Sequence, residues 1–470
     1  MKGDGSVSTK ELTKTAAARR TGDPTSLVSA LKNGGPIVWV SCLIMGLGNF
    51  AAGQWIKGLI FLVIEAAFVF YMAIPETGGA AWLSLLPSLG DRETAEVWDE
   101  AEGVYTYVQG DNSQQILLYA VATMVIIVAF LVIWRSSVRS GFIALGRKKA
   151  GKKVATFGDD LKSLLDENVH KMLMMPPFLM LCIFTVVPLV YMMLMAFTNY
   201  SKVGDHLTLF DWVGLANFAS LFDSSSALGR QFFPVLQWTI IWAFFATFLN
   251  FFAGTIMAMI INRPTTRLKG LWRGVLSLTI AVPQFVSLLI IRTMFKSEGA
   301  VNQLLMNWGL IETALPFFTD ATWARVTIIT INMWVGIPYT VMSVTGILQN
   351  IPAEQYEAAR IDGANAYQQF RNITLPYMIF VMTPTLITSF TGNINNFNII
   401  YLLSGGGPTY IGDSAGQTDL LVTWLYKLTI DNQEYNLAAV IGILTFVVLA
   451  TVALVTYRSS GSYKDEEGFK

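Results

Sequence analysis

Few side chains in this 470-residue chain have the types and spacing that chemistry requires. The two histidines, His170 and His206, stand alone near the ends of apolar runs, so neither a zinc site nor a histidine-based catalytic dyad is expected. The two cysteines, Cys42 and Cys182, lie inside apolar runs without metal-ligand spacing and read as small buried residues. A partial phosphate-loop pattern runs from Gly146 through Gly151 and Lys152, but Lys153 stands where Ser or Thr must hold magnesium. That stretch also comes after an apolar run and not a strand, so it reads as a solvated basic loop. No other nucleotide-binding pattern occurs, and the chain has no room for an ATPase domain. Glu65 stands apart as an acid inside the first long apolar run, where pairing within a helix bundle is the expectation. Arg292 and Arg325 fall near span ends, within snorkelling reach of water.

The elements that must position these residues are membrane helices. The chain is 53% hydrophobic and 14% charged, well below the charged share of a soluble protein. Its net charge is zero, so no nucleic-acid partner is implied. Eight apolar runs are long enough to cross a bilayer: 57–75, 115–134, 173–198, 234–261, 274–295, 322–349, 375–403 and 436–457. A ninth stretch, 36–52, is shorter, carries Gly46, Gly48 and Asn49, and fits a re-entrant or interfacial segment better than a span. Segment 135–171 holds nine Lys/Arg, whereas 76–114 holds one, Arg92, beside eight acids. The positive-inside rule therefore puts 135–171 in the cytoplasm and 76–114 outside. The basic loop 262–273 falls inside, 199–233, 296–321 and 404–435 fall outside, and both termini face the cytoplasm. The expected class is an all-α polytopic membrane protein with about eight transmembrane helices. The N-terminus is polar and basic and has no cleavable signal pattern.

Within the later spans the polar side chains are neutral. Ser389, Asn393 and Asn396 recur at i, i+4 and i+7, and Asn332, Gly336 and Tyr339 share that spacing in the preceding span. An amide offers two donors and an acceptor, which suits sugar hydroxyls without the desolvation cost of a charge. Tyrosine can stack on a pyranose ring, and Gly336 leaves space beside the backbone. Interhelical adhesion explains such residues equally well one at a time.

Residues 354–377, "EQYEAARIDGANAYQQFRNITLPY", form a polar segment between the sixth and seventh spans, on the cytoplasmic side. Pro352 fits a first helical turn, and Glu354 and Glu357 lie near that helix's positive end. Gly363 sits where a left-handed C-terminal residue is needed, and Asn365 with Gln368 resembles a second helix start. Pro376 opens the next span. The prediction is helix, tight glycine turn, short helix, membrane.

The spacing Glu357-Ala358-Ala359, three residues, Gly363, nine residues, Ile373, one residue, Leu375-Pro376 matches the EAA loop of bacterial ABC importer permeases. Together with "NMWVGIPYT" (332–340), "LSGGGP" and "TDLLVTWLY" (403–426), it resembles permease subunits of the maltose/maltodextrin (MalF-like) type over roughly residues 172 to 457. The resemblance implies a six-helix type I ABC permease core at 172–457, with the coupling loop at 350–376. Around it lie a basic cytoplasmic segment (1–35), an N-terminal membrane region (36–171) and a cytoplasmic tail (458–470). It implies that Glu357, Ala358, Ala359 and Gly363 couple to a partner ATPase. It also implies that Asn332, Val335, Gly336, Tyr339, Ser389, Asn393 and Asn396 line a sugar site. Gly392 and Ile280 stand where the maltose-type subunit carries aromatics, which allows for a larger or differently linked oligosaccharide. The external loop 199–233 is too short to hold the inserted domain of some maltose permeases.

The implied partners are a second, homologous (MalG-like) permease, two ATP-binding subunits, an extracellular sugar-binding protein, an oligosaccharide and membrane lipid. ATP and magnesium belong to the ATPase partners, and no cofactor or catalytic residue is expected in this chain. The implied activity is alternating-access import of maltose, maltodextrin or a related oligosaccharide across the bacterial cell membrane. A stand-alone secondary transporter would carry buried acids or histidines and internal repeats. A membrane enzyme would carry a clustered acid/base or metal constellation. Neither pattern is present.

Overall fold

The computed structural model describes residues 26–99, 103–263 and 265–459, so most of the expected basic N-terminal segment and of the tail lies outside the described residues. Among these, seven helices are long and apolar enough to cross a membrane, and a bent pair supplies an eighth crossing if it counts as one span. The chain divides into two compact units, 1–194 with 207–212 and 195–206 with 213–470.

The first unit begins with α1 (Leu27–Asn33), α2 (Pro36–Val40) and α3 (Leu47–Ala52), followed by the span α4 (Trp55–Ala73). The 36–52 stretch is thus two helices of five and six residues, against the ~20 that a helical crossing takes. Gly46, at φ +80°, turns the chain between them. Such a turn is tolerated at membrane depth only where its backbone groups find protein partners. Here the Met45 N–H donates to Glu65 Oε2 at 2.8 Å and the Gly46 N–H to Ser137 Oγ at 3.0 Å. Glu65 therefore serves as the acceptor for a broken backbone, a purpose its place in the sequence did not disclose. Gly48 packs so close to Gly141 that a Cβ on it would lie 3.0 Å from the Gly141 Cα.

Next come α5 (Gly79–Leu85) and an unanticipated antiparallel hairpin of β1 (Ala95–Asp99) and β2 (Val104–Val108), with Ala95 opposite Val108. The hairpin is rich in Val and aromatic residues (Val97, Trp98, Val104, Tyr105, Tyr107, Val108), the composition strands favour. The long α6 (Ser113–Lys149) starts at Asn112, whose side chain accepts from the Gln115 N–H at 3.1 Å. The short amphipathic α7 (Phe157–Leu165) opens with a reciprocal Thr156/Asp159 capping box. The span α8 (Val169–Met195) ends the run, and its most apolar stretch is unburied within the chain, as a helix facing hydrocarbon or a partner would be.

The second unit holds α9 (Ala216–Ala219), α10 (Ala227–Asn262), α11 (Lys269–Ala281), α12 (Gln284–Met294) and α13 (Ala300–Asn307). After these come α14 (Ala321–Gln349), α15 (Ala353–Ile361), α16 (Ala366–Ile394), α17 (Phe397–Leu403), α18 (Leu421–Ile430) and α19 (Tyr435–Ser459). α10 is the central element and packs along both α14 and α16. Trp238 and Trp242 on α10 anchor one apolar cluster with Leu288, Ile328 and Leu403, while Phe251 and Ile261 anchor another with Val341 and Met378.

Two expected spans are broken. The run 274–295 bends by 90° between α11 and α12. Pro283 disfavours helical geometry at the residue before it, and Val282 is extended (φ −77°, ψ 129°). The run 375–403 is interrupted at Asn395, and Asn396 caps the next helix, its Oδ1 accepting from the Ile399 N–H at 3.4 Å. Two others only widen. A π turn occupies Cys182–Val186 just ahead of Pro188, and another occupies Phe370–Thr374 just ahead of Pro376. A proline has no N–H and its ring crowds the carbonyl four residues back. One wider turn relieves that crowding without ending the helix.

Candidate functional site

The polar segment between α14 and α16 folds as its residue types dictate. Pro352 takes the N-cap position, one residue earlier than expected, and α15 begins at Ala353. Gly363 adopts φ +81°, and its N–H donates to Arg360 O at 3.1 Å while that of Ala364 donates to Ala359 O at 2.9 Å. The Asn365 side chain accepts from the Gln368 N–H at 2.9 Å, and the Gln368 side chain accepts in turn from the Asn365 N–H at 2.8 Å. The Tyr356 hydroxyl meets Thr374 Oγ1 at 2.8 Å and ties α15 to the start of the span. The segment beyond Asn365 is no separate short helix. It runs through the π turn into α16 as one rod of 29 residues, about 43 Å long at 1.5 Å per residue.

Glu357, Ala358 and Gly363 are exposed, and Ala359 is half-buried. Ile361 is 87% exposed and Tyr367 66%, which sequence reading missed. A bare isoleucine at the tip of a polar helix is the signal that would have found it, since an apolar side chain there gains nothing unless a partner covers it. Beneath the knob lies a groove of about 600 Å³ lined by Arg263, Lys269 and Arg273 on one side and Tyr356, Glu357 and Arg360 on the other.

Two of the mid-span candidates, Asn332 and Asn393, bond to α10. Asn332, almost fully buried, directs Nδ2 toward Ala246 O at 3.5 Å. Asn393 donates from Nδ2 to Thr247 Oγ1 at 3.0 Å, and its own carbonyl accepts from Trp242 Nε1 at 3.1 Å. Asn396 donates to Asn393 Oδ1 at 3.2 Å, but it lies past the end of α16, so Ser389, Asn393 and Asn396 do not share one helical face. Val335 packs against the Trp238/Trp242 cluster. Ser389 and Tyr339 are exposed, and the backbone carbonyl of Tyr339 accepts the local bond from Ser343 Oγ at 3.1 Å. The space expected beside Gly336 is already filled: a Cβ there would lie 2.2 Å from Asn250 Nδ2. Asn250 is the residue that sequence reasoning passed over. Its Nδ2 donates to Ala246 O at 2.7 Å, and its buried Oδ1 has no partner among the described residues. Gly392 faces open space, with nothing within 4 Å of where a Cβ would be.

At the opposite end of α14 from the knob, Arg325 is held and does not snorkel freely. Its Nε donates to Gln417 O at 2.9 Å and its guanidinium lies 4.8 Å from the Trp238 ring centroid. The glycine run beside it is a turn, with Gly405 and Gly406 both at positive φ. Gly406 packs against the buried Asp419, whose Oδ2 pairs with Lys427 Nζ at 2.6 Å. Burial pushes the Asp419 carboxyl up, and Lys427 opposes but does not cancel that effect.

Residues 250–460 match the family described as "Binding-protein-dependent transport system inner membrane component". The galactooligosaccharide transport system permease protein GanP of Bacillus subtilis is 35% identical over 429 residues, covering 90% of this chain and 97% of that protein. This chain belongs to the bacterial ABC sugar-importer permeases. The maltodextrin transport system permease protein MalC of Streptococcus pneumoniae is 34% identical over 442 residues, again covering 90% of this chain and 96% of that protein. The maltose/maltodextrin permease protein MalF of Escherichia coli is 36% identical over 253 residues, 53% of this chain and 49% of that one. The likeness to GanP and MalC thus extends well beyond the 172–457 core into the N-terminal unit. A transporter of the acidic polysaccharide alginate superimposes with a TM-score of 0.53 at 22% identity, covering 64% of this chain and 97% of that one, a likeness of fold alone. As an ABC sugar-importer permease, this chain is a multi-pass membrane transport subunit and not an enzyme. ATP hydrolysis belongs to separate subunits, and membership implies a paired permease and a binding protein.

Proposed function

We propose that this permease forms one half of a path for neutral oligosaccharides of the maltodextrin class, with its termini and its knob in the cytoplasm. The orientation rests on the nine basic residues of 135–171 against the single one of 76–114. In this reading a second permease of the same family completes the path, two ATPase subunits grip the knobs, and an extracellular binding protein delivers the sugar. Glu357 pairs with a basic group of the ATPase, Ala358 and Ala359 allow close approach, and Gly363 shapes the tip.

The observation that carries the reading is the continuity of the rod from the knob to the amide belt. α16 starts at the Gly363 turn and ends beside Asn393, so a rigid-body movement of the knob is delivered to the belt. Closure of the ATPases then draws the knobs together and opens the cavity outward, and hydrolysis resets it. The polar groups of the belt are amides and hydroxyls, a chemistry that suits sugar hydroxyls. Asn332, Val335, Tyr339, Ser389, Asn393 and Asn396 are its proposed contacts, and the unpartnered Asn250 Oδ1 joins them in the place first expected of Gly336, whose side of the helix Asn250 covers. A galactooligosaccharide is the second reading, favoured by the comparable identity to GanP and by the open space at Gly392.

The test is uptake of labelled maltotriose and of a galactooligosaccharide by proteoliposomes that hold the full complex. Uptake of maltotriose that needs ATP, and that collapses in Glu357→Ala and Gly363→Pro, is expected. Nucleotide-independent uptake, or unaltered uptake in both variants, overturns the coupling. ATPase stimulation with uptake of the galactooligosaccharide alone reassigns the cargo.

A further inference from the structure

A small cavity lies within the second unit, at the ends of α10 and α14 away from the knob. It measures about 180 Å³, and Gln231, Trp238, Arg325, Tyr410 and Asp419 are among its walls. Its shape is fixed by bonds on three sides. The Ala415 N–H and Ser414 Oγ donate to Gln231 Oε1 at 2.6 and 3.2 Å, and Trp238 Nε1 donates to Thr418 O at 3.1 Å. Arg325 Nε donates to Gln417 O, and Trp424 Nε1 to Ser414 Oγ at 2.9 Å. The 414–419 strap is thereby fastened to α10, α14 and α18.

Two buried polar atoms in these walls are left over. Gln231 is 5% exposed and Asp419 0%. The Ala415 N–H needs an acceptor, which fixes the Gln231 amide with Oε1 toward the strap. Nε2 is then a donor with no partner among the described residues. Asp419 Oδ2 accepts from the Gly416 N–H and from Lys427 Nζ, both at 2.6 Å, whereas Oδ1 has no partner among the described residues. Gly406 keeps that oxygen free of a side chain, since a Cβ there would collide with it. Native chains pair such groups, so an orphan donor and an orphan acceptor in the walls of one cavity point to a ligand.

The pair says which ligand. An anion would meet Gln231 Nε2 and be repelled by Asp419, and a cation would do the reverse. A hydroxyl donates and accepts at once, so a neutral polyol satisfies both atoms. Water does so too, but at about 30 Å³ each the cavity has the space of about six, beyond what two orphan atoms order. It is smaller than the roughly 300 Å³ at which pockets for whole drug-sized ligands begin, which limits it to one unit of a longer chain. Tyr410, 64% exposed, lines it as a ring on which a sugar face can pack. Gln231, Trp238 and Trp242 recur on one face of α10, and Trp242 bonds Asn393 of the belt. The cavity therefore lies about 16 Å along α10 from the belt.

We propose that this cavity is an outer sugar subsite, which takes one terminal unit of the oligosaccharide before the belt does. Gln231 Nε2 donates to one of its hydroxyls, Asp419 Oδ1 accepts from another, and the Tyr410 ring packs on its face. The assignment rests on the reading of this chain as half of an oligosaccharide path.

Photolabelling of the full complex in proteoliposomes tests this, with a diazirine-bearing maltotriose or galactooligosaccharide, whichever the wild type imports. Adducts on 410–419, competed by the unlabelled sugar, are expected. Gln231→Glu in mildly alkaline buffer keeps the acceptor for Ala415 and loses the donor. At sub-saturating sugar it should cut the adducts about tenfold, the factor of one neutral hydrogen bond. Tyr410→Ala should cut them about fivefold, and Tyr410→Phe, which keeps the ring, should keep them. Asn393→Ala should leave them in place, because the belt is a separate site. ATP-driven uptake without adducts on 410–419, or adducts that persist in both Gln231→Glu and Tyr410→Ala, overturns the subsite alone. Loss of binding-protein-stimulated ATPase activity in step with the adducts makes the cavity a docking surface and overturns it too. Absence of uptake of either sugar removes the path itself, and the subsite with it.

Discussion

The knob at 353–369 turns Glu357, Ala358, Ile361 and Tyr367 outward, while the belt on α10, α14 and α16 turns Asn332, Asn250 and Asn393 inward onto Ala246 and Thr247 of α10. The knob is held by the Gly363 turn, the Asn365/Gln368 cap and the Tyr356–Thr374 bond, so Glu357, Ala358, Ile361 and Tyr367, which take part in none of them, can change without touching the fold. The belt's amides hold the helices together, so a ligand that uses them must share bonds the protein already makes. In the knob, function and stability are separable; in the belt they are bound together.

Variants can break that contrast, and the largest effect belongs to Gly363→Pro. Proline cannot reach φ +81° and removes the N–H bonded to Arg360 O, at a local cost of about 3 kcal/mol or more. ATP-driven uptake should vanish while the thermal midpoint of the permease core barely moves, since the turn is exposed. Next is Gly336→Ala, which drives a methyl into Asn250 and should destabilise the chain by about 1–3 kcal/mol. Asn250→Ala on top of it should recover most of that loss, measured by thermal unfolding in detergent. No recovery would return Gly336 to a ligand-facing role.

Asn393→Ala should cost only about 0.6 kcal/mol of stability, the mean for an interhelical hydrogen bond in a membrane protein, yet should raise the KM for sugar uptake. A stability loss without a change in KM would make Asn393 purely structural. Glu357→Ala should leave stability within about 0.5 kcal/mol and still abolish uptake, because its side chain is exposed in the chain alone. A control lies outside both regions, at Asp111. Burial pushes its carboxyl up, but hydrogen bonds and charge from Arg92 outweigh this and hold it below its ordinary value. Its stabilisation is therefore complete above the ordinary carboxylate range and fades as pH falls through the lowered value. Hydrogen exchange at Asp91 and Arg92 should track that loss, and coupling through the knob should not.

The knob was legible almost to the residue because each of its signals acts within four positions: a proline at a helix start, a glycine in the left-handed region, an asparagine and glutamine that cap each other. The belt was legible only in its residue types. Asn332 meets Ala246 and Asn393 meets Thr247 across 86 and 146 positions, and nothing in either local pattern names α10 as the common partner. The same reason hid Asn250, and it made the glycine at 336 look like space for a ligand.

By itself, the sequence determined the eight apolar runs, the asymmetry of the basic loops, the knob and the neutrality of the polar spans, since hydropathy, charge and turn chemistry are summed over neighbours along the chain. The tertiary structure alone decided that 36–52 turns back against Glu65, that two spans break at Val282 and Asn395, and that two more widen ahead of Pro188 and Pro376. Those outcomes depend on which distant group is at hand to satisfy a freed backbone N–H or carbonyl. In a membrane, where water cannot supply that partner, packing settles the matter.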